Sequence, residues 1–305
     1  MDKPEHGHEP VMLAEVLEHL ALKPGAVVAD CTVGRGGHAV EIAQRILPGG
    51  KLLALDVDPD NLKYAKERIQ KSEVSSQNEE NVRFFQANFA EVDDVVRAAG
   101  LELPGLDGLL ADLGVSTNQL LEAKHGMSFT ADGPLDMRMD PRIRQTAADL
   151  LAELDEAKLA HLLHDYAQER CAWKIARKIV QMRATLPIRS TEQLARLVRS
   201  VVPAKWGQID PATRTFQALR MAVNAELESL EDLLGGIPEL MKAGGRVVII
   251  SFHSGEDRLV KHAMKEWASE GWCKILTKKP LEASDAEGHR NPRSRSAKMR
   301  VVEFN

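Results

Sequence analysis

Apolar residues recur at helical spacing from Val11 to Leu22, with Met12, Leu13, Val16, Leu17 and Leu20 on one face. Pro24-Gly25 ends that helix. The apolar run Ala26-Val27-Val28-Ala29 then predicts a buried strand that reaches Asp30 and enters the turn Cys31-Thr32-Val33-Gly34-Arg35-Gly36-Gly37-His38. Helical spacing resumes from about Gly37 to Leu47 and stops at Pro48-Gly49-Gly50. A second strand, Lys51 to Leu55, ends in Asp56. Asp58 caps the next helix, with Pro59 at its first position, and the pattern runs to about Lys71. Ser72 to Asn81 is polar and serine-rich and reads as a mobile loop. Val82 to Ala87 is a third strand, ending near Phe89, and Leu106 to Leu113 is a fourth, with Asp112 near its carboxyl end. Strands alternating with helices in this way predict an α/β fold with a doubly wound, mostly parallel sheet.

The alternation then stops. The next buried strand is Gly245 to Phe252, more than 130 residues after Asp112. A crossover between parallel strands needs far fewer. The surplus reads as an inserted helical domain, with helices over Ala147–Leu154, Asp155–Tyr166, Glu169–Ala184 and Thr191–Val202, punctuated by Pro187, Pro203 and Pro211. One long helix from about Thr213 to Leu234 returns to the sheet. A helix (Glu256–Glu270) and strands at Lys274–Thr277 and Lys298–Phe304 complete seven strands, the last two paired antiparallel. The expected division is 1–116 plus 212–305 for the sheet domain and 117–211 for the insert.

Composition narrows the classes. The chain has 305 residues, a net charge of −5 and an ordinary apolar content of 44%. No global basic field advertises nucleic acid. Charge is uneven, however: Pro134 to Arg220 carries 15 basic against 10 acidic residues, and His289 to Arg300 has five basic residues and no acid. Such local excess suits a phosphate backbone, and solvated helix faces are the plainer alternative. Cys31, Cys171 and Cys273 are far apart with no C-x-x-C, which fits a reducing compartment. No apolar run has membrane-spanning length, so a cytoplasmic protein with no membrane partner is expected.

The glycine turn, followed about twenty residues later by an acid at a strand end, is the grammar of a nucleoside-cofactor pocket. Gly34, Gly36 and Gly37, continuing into His38, do not have the G-x-G-x-x-G spacing that packs a pyrophosphate on a helix. A cofactor without phosphates fits better, which points to S-adenosylmethionine (SAM). Asp56 would accept from the ribose hydroxyls. Phe89 would stack on adenine or simply pack. Asp112 sits where an acid can orient an amine toward a methyl donor. Ser254 with Asp257 three residues on reads as a capping box, and His253 could line the pocket. His161 with His164, and His6 and His8 with Glu9, are the candidate metal ligands. No third ligand accompanies the first pair and no metal is expected.

Ordered motifs give a family resemblance. They are His8-Glu9-Pro10-Val11-Met12, Gly34-Arg35-Gly36-Gly37-His38, Asp112-Leu113-Gly114-Val115-Ser116 and Asp132-Gly133-Pro134-Leu135-Asp136-Met137-Arg138-Met139-Asp140. Pro211 to Arg220 with Val223-Asn224 and Glu226-Leu227, Ser251-Phe252-His253-Ser254, and Asn291-Pro292-Arg293 follow. From His8 onward the chain resembles the bacterial small-subunit rRNA cytosine-N4 methyltransferase family, RsmH, also called MraW. The resemblance implies a class I SAM-methyltransferase fold with an inserted helical domain. It implies SAM-dependent N4-methylation of cytidine 1402 in the decoding region of 16S rRNA, on free rRNA or the 30S subunit, and it is compatible with a homodimer. It places SAM contacts on Gly36, Gly37, His38, Asp56, Phe89, Asp112 and Gln119. Gln119 comes from the resemblance alone. Cys31, Thr117-Asn118 and Gly255 depart from the family's usual residues.

Within these motifs, Asp136, Arg138 and Asp140 are a charged lining or internal ion pairs. Arg214 could meet a phosphate. Arg220 and Asn224, at i and i+4, face the substrate or bridge segments. Asp136, Arg138, Arg214, Asn224 and His253 are therefore the substrate-binding candidates. Trp173, Trp206 and Phe129 are expected in the core, with base stacking as the alternative. Two other functions compete. A DNA amino-methyltransferase would carry an Asp/Asn/Ser-Pro-Pro-aromatic tetrad where this chain has Asp112-Leu113-Gly114-Val115. A ribosome-assembly factor could bind SAM and RNA without chemistry.

Overall fold

A computed structural model describes residues 9–72, 81–204 and 209–305. His6, His8, Trp206 and most of the serine-rich loop lie outside the described residues. In chain order the first elements are α1 (Leu13–Leu20), β1 (Val27–Asp30), α2 (Gly37–Ile46), β2 (Lys51–Asp56), α3 (Pro59–Lys71), β3 (Val82–Gln86), α4 (Val92–Ala98) and β4 (Leu106–Asp112). Six helices follow: α5 (Thr117–Leu121), α6 (Ala147–Glu153), α7 (Glu156–Ala167), α8 (Ala172–Arg183), α9 (Thr191–Val201) and α10 (Ala212–Val223). The chain ends with α11 (Glu226–Leu240), β5 (Met241–Ser251), α12 (Ser254–Ser269), β6 (Cys273–Ile275), β7 (Leu281–Glu282), α13 (Asp285–Arg290) and β8 (Lys298–Phe304).

The sheet order is β3-β2-β1-β4-β5-β8-β6, with β7 pairing β8 as a short eighth strand. The pairs from β3 to β5 are parallel, and β8 runs antiparallel to both β5 and β6. The expected α/β class and the antiparallel end are both present. Parallel strands are covered on both faces, so their sequences are continuous apolar runs rather than alternations. Val247, Val248, Ile249 and Ile250 are fully buried, and odd and even positions enter two different cores. The strand order turns back between β1 and β4. The crevice at the carboxyl ends of those two strands is where an open α/β sheet binds its ligand.

The chain divides into two compact units, Met1–Gly114 with Leu227–Asn305, and Val115–Glu226. The second boundary thus falls after Glu226, not after Pro211. The long return helix expected from Thr213 to Leu234 is two helices, broken at Asn224-Ala225, where Ala225 has a φ of 45°. The reason lies in the two apolar faces. Phe216, Leu219 and Val223 of α10 join the core of the helical unit, whereas Leu230, Leu233 and Ile237 of α11 join a core of the sheet unit. A continuous periodicity conceals this change of allegiance.

Candidate active site at the strand ends

The β1–α2 turn is built on two glycines in the left-handed region, Gly34 at φ 50° and Gly36 at φ 76°. A Cβ on Gly36 would stand 3.2 Å from Cα and Cβ of Ala65 on α3, so the helix can approach only a glycine there. A Cβ on Gly34 would meet nothing nearer than the Thr32 carbonyl at 3.9 Å, leaving that side of the turn open. The Gly34 amide donates to Asp56 Oδ2 at 2.9 Å, which ties the turn to the end of β2. Asp56 Oδ1 accepts from the Asp58 amide at 2.9 Å, and Asn61 Nδ2 lies 3.3 Å from Oδ2. Burial raises the Asp56 pKa to about 6 despite these donors.

Asp112 closes β4 beside this turn. Its amide donates to Thr32 Oγ1 at 2.6 Å. Its Oδ1 is buried with no hydrogen-bond partner among the described residues, and Oδ2 lies 3.9 Å from His38 Nδ1. Desolvation is the main cause that lifts the Asp112 pKa to about 8, and Asp30, Glu256 and Glu287 push the same way while Arg293 opposes them. His38 is buried at the start of α2. Its Nε2 donates to the Val11 carbonyl at 2.9 Å, and burial lowers its pKa to about 4. It is therefore neutral, with the proton on Nε2 and a bare Nδ1 toward Asp112.

Asp30 joins this group from β1. Its Oδ1 accepts from the Thr32 amide at 3.2 Å, and its Oδ2 is buried with no partner among the described residues. Burial raises its pKa to about 7. Asp30 is not among the sequence candidates because it ends an apolar run. The available signal is the position itself, a carboxylate closing a buried strand immediately before a glycine turn. Phe89 opens a 3₁₀ turn capped by Asn88 and packs partly against the sheet core.

His253 and Ser254 sit differently from the sequence expectation. The cap of α12 is His253, whose Nδ1 accepts from the amides of Gly255 (3.2 Å) and Glu256 (3.3 Å). Glu256 completes the box by accepting from the His253 amide at 3.2 Å, one residue upstream of the expected Ser254–Asp257 pair. Asp257 instead holds Arg300, with Oδ1 2.7 Å from its Nε. Arginines of the basic run near the carboxyl terminus likewise have partners within the chain, although Arg290 and Arg295 remain exposed. Arg290 pairs with Glu9 at 2.9 Å and Arg295 donates to the Gly288 carbonyl at 2.8 Å.

A family model for the MraW methylase family matches residues 5–305. The chain belongs to the MraW methylase family. Relatives include the ribosomal RNA small subunit methyltransferase H of Acidobacterium capsulatum, 46% identical over 97% of this chain and 98% of the relative. The protein of the same name from Solibacter usitatus is 48% identical over 97% of this chain and 99% of its own length. Among solved structures, an rRNA methylase from Streptococcus thermophilus aligns over 96% of this chain and 91% of its own at 13% identity, with a TM-score of 0.39.

The methyl donor of this MraW methylase is SAM. The strand-end residues fit it on three counts. The turn is open beside Gly34, Asp56 ends the neighbouring strand with its carboxylate tied to the turn, and Asp30 and Asp112, whose charges repel and whose pKa values are raised, suit a ligand that carries positive charge. Two of those carboxyls keep a buried oxygen without a partner among the described residues.

The remaining expected residues lie in the helical unit. Gln119 is buried on α5, where its Oε1 accepts from the Ser116 amide at 3.1 Å in a capping box. Asp136 and Arg138 form a bidentate pair at 2.7 and 2.8 Å, and Arg138 also donates to the Ile143 carbonyl at 2.9 Å. Asp140 pairs in the same way with Arg142. Asn224 is buried and makes three 2.8 Å hydrogen bonds. Its Nδ2 donates to the carbonyls of Met137 and Arg220, and its Oδ1 accepts from the Met139 amide. Arg220 is paired with Glu226 at 2.7 Å. Arg214 is half-buried, with Nη1 3.4 Å from the Gln168 carbonyl. Phe129 packs edge-on against Phe216 at 5.0 Å, as a core residue. His161 and His164 are both exposed, and His164 holds Asp165 at 2.9 Å.

Proposed function

We propose that this protein transfers a methyl group from SAM to the exocyclic N4 of a cytidine, position 1402 of 16S rRNA, in the decoding region of the small ribosomal subunit. The names of its relatives, small-subunit rRNA methyltransferases, supply the substrate class. The observation that carries the chemistry is Asp112, a partly buried carboxyl at the end of β4 whose Oδ1 is buried with no partner among the described residues. Gly34, Gly36, Gly37, His38, Asp56 and Phe89 would hold the donor, and the family resemblance adds Gln119. When bound, SAM supplies a methyl group activated by a sulfonium, whose departure leaves a neutral thioether.

A conjugated exocyclic amine is a weak nucleophile because its lone pair is delocalised into the ring. Asp112, as carboxylate, would accept one N4–H and aim the remaining lone pair along the line of transfer. A carbon–nitrogen bond forms, a carbon–sulfur bond breaks, and the methylated N4 sheds one proton to water. Neutral His38 leaves the Asp112 charge uncompensated by an imidazolium, so the carboxylate is a strong acceptor. Residues of the helical unit with local positive charge, Arg214 among them, would meet phosphates. Asp136, Arg138 and Asn224 would act indirectly, by shaping that unit. Among the described residues no helix is long and apolar enough to cross a membrane. The proposed setting is the cytoplasm.

Donor binding should depend on pH. Below pH 7 both Asp30, near 7, and Asp112, near 8, hold protons in the ligand-free protein. The groups acting on them are Asp56, Glu256, Glu287 and Arg293, with neutral His38 alongside. A cationic donor favours the ionised carboxyls, so its binding releases protons. SAM affinity is expected to rise about tenfold from pH 6 to 7.5. Calorimetry in two buffers of different ionisation enthalpy would detect the released proton. Affinity that stays flat across this range would mean that neither carboxyl ionises on donor binding.

Substrate class is tested by methyl transfer from labelled SAM to 30S subunits lacking the modification, with free 16S rRNA and duplex DNA alongside. Transfer to 30S or 16S RNA supports the proposal. Transfer to DNA alone would favour a DNA amino-methyltransferase. SAM binding without transfer to any of the three would favour a non-catalytic assembly factor.

A further inference from the structure

Helix α8 carries a feature that its packing does not explain. Ala172, Ile175, Ala176 and Ile179 form its buried face. Its exposed face reads Trp173, Lys174, Arg177, Lys178 and Gln181, at helical positions i, i+1, i+4, i+5 and i+8. Trp173 is 52% exposed, although its sequence reads as a core residue. The helix has no acidic residue, and Arg170 precedes it. An acid of the neighbouring helix meets this face: Arg177 Nε lies 3.1 Å from Glu156 Oε1 of α7. The Trp173 ring stands edge-on to His161 of α7, with centroids 5.8 Å apart and planes at 80°. That contact braces the indole and leaves it half open.

We infer that the exposed face of α8 is a landing surface for a single-stranded segment of the RNA substrate, with Trp173 stacking on a base and Lys174 and Lys178 meeting phosphates. The inference rests on the rRNA reading above and adds to it a place of contact. An aromatic face offered among cations is what a single strand requires, because every base presents a π-face and every linkage a negative charge. A membrane surface would ask for a broader apolar face than one indole. An acidic protein would use the lysines with no need of a stacking ring.

The test uses the full chain and a single-stranded oligoribonucleotide of about 12 nucleotides. Variants are Trp173→Ala, Trp173→Phe and the pair Lys174→Gln with Lys178→Gln. All three side chains are on the surface, so SAM affinity should be unchanged, and an unaltered first calorimetric transition confirms that the helical unit of each variant is folded. Trp173→Ala is expected to weaken oligoribonucleotide binding about tenfold, and Trp173→Phe to restore most of it. The lysine pair should reduce the slope of log affinity against log salt by about 1.4, roughly 0.7 for each phosphate no longer neutralised. With 30S particles as substrate, KM should rise in the same order and kcat should hold. Affinity and KM within twofold of wild type in Trp173→Ala would overturn the stacking role. An effect of the lysines alone would overturn it equally. Failure of the wild-type protein to methylate any RNA would overturn the rRNA reading instead, and the oligoribonucleotide arm would still decide the α8 face.

Discussion

Asp112→Asn is expected to reduce methyl transfer by at least a hundredfold while stabilising the ligand-free protein at alkaline pH. The first effect follows from the role of the carboxylate. An amide oxygen is a weaker acceptor than an anion, and the electrostatic share of such a step is typically worth about 2–4 kcal/mol. The second follows from its burial. A folded-state pKa of about 8, against an ordinary value of 3.8, means that the folded protein binds this proton more tightly than the unfolded chain does. That stabilising contribution is complete below pH 3.8 and is lost as pH rises through 8. Asparagine needs no proton to stay neutral, and its amide can point toward the bare Nδ1 of His38. The advantage of the variant should therefore grow between pH 5.5 and 8.5 by about 1–3 kcal/mol. Thermal unfolding at the two pH values measures it. A variant destabilised equally at both, or one that retains transfer, would remove Asp112 from the proposed role.

Asn224→Ala should destabilise the helical unit by about 3–4 kcal/mol and leave KM for RNA nearly unchanged in the protein that remains folded. The Asn224 side chain holds the carbonyl of Met137 and the amide of Met139 from the end of α10. Met137 is fully buried at a φ of 65°, a conformation that costs an unbranched side chain about 1 kcal/mol or more and persists only where its surroundings enforce it. The Met137 amide donates to the His125 carbonyl at 2.8 Å, so both sides of this residue are fixed. Alanine would leave a buried donor and a buried acceptor unmatched. The first calorimetric transition should fall by about 10–20 °C. A raised KM with an unaltered transition would instead return Asn224 to the substrate-binding role suggested by its sequence motif.

The contrast between these two residues shows what the sequence can and cannot disclose. The glycine turn is legible because two left-handed positions within four residues have few other uses, and Asp56 because it closes the next strand. The sheet is legible because parallel strands are unbroken apolar runs. Asp30 is hidden by that same rule: one acid at the end of such a run looks like its boundary. The cap of α12 is misassigned because serine is the commoner capping residue, and nothing local reveals that the His253 imidazole accepts the amides instead. The break between α10 and α11 has no proline or glycine to mark it. It arises because consecutive turns serve different cores, a fact of tertiary packing. Arg290, Arg295 and Arg300 read as a phosphate surface, yet their partners are Glu9, the Gly288 carbonyl and Asp257, of which Glu9 is 281 residues from Arg290. Trp173 departs in the opposite sense. An aromatic residue is expected in the core, and the helix turns it outward.

The position of the new methyl group distinguishes N4 transfer from every other rRNA methylation. Unmodified 30S subunits would be incubated with SAM carrying a deuterated methyl group, and the rRNA digested to nucleosides for mass spectrometry. The label is expected on N4 of cytidine at one site in the decoding region, at least a hundredfold slower to appear with the Asp112→Asn variant. Label on the ring carbon C5 or the ribose 2′-hydroxyl would contradict N4 transfer, because neither acceptor presents an amine for Asp112 to orient.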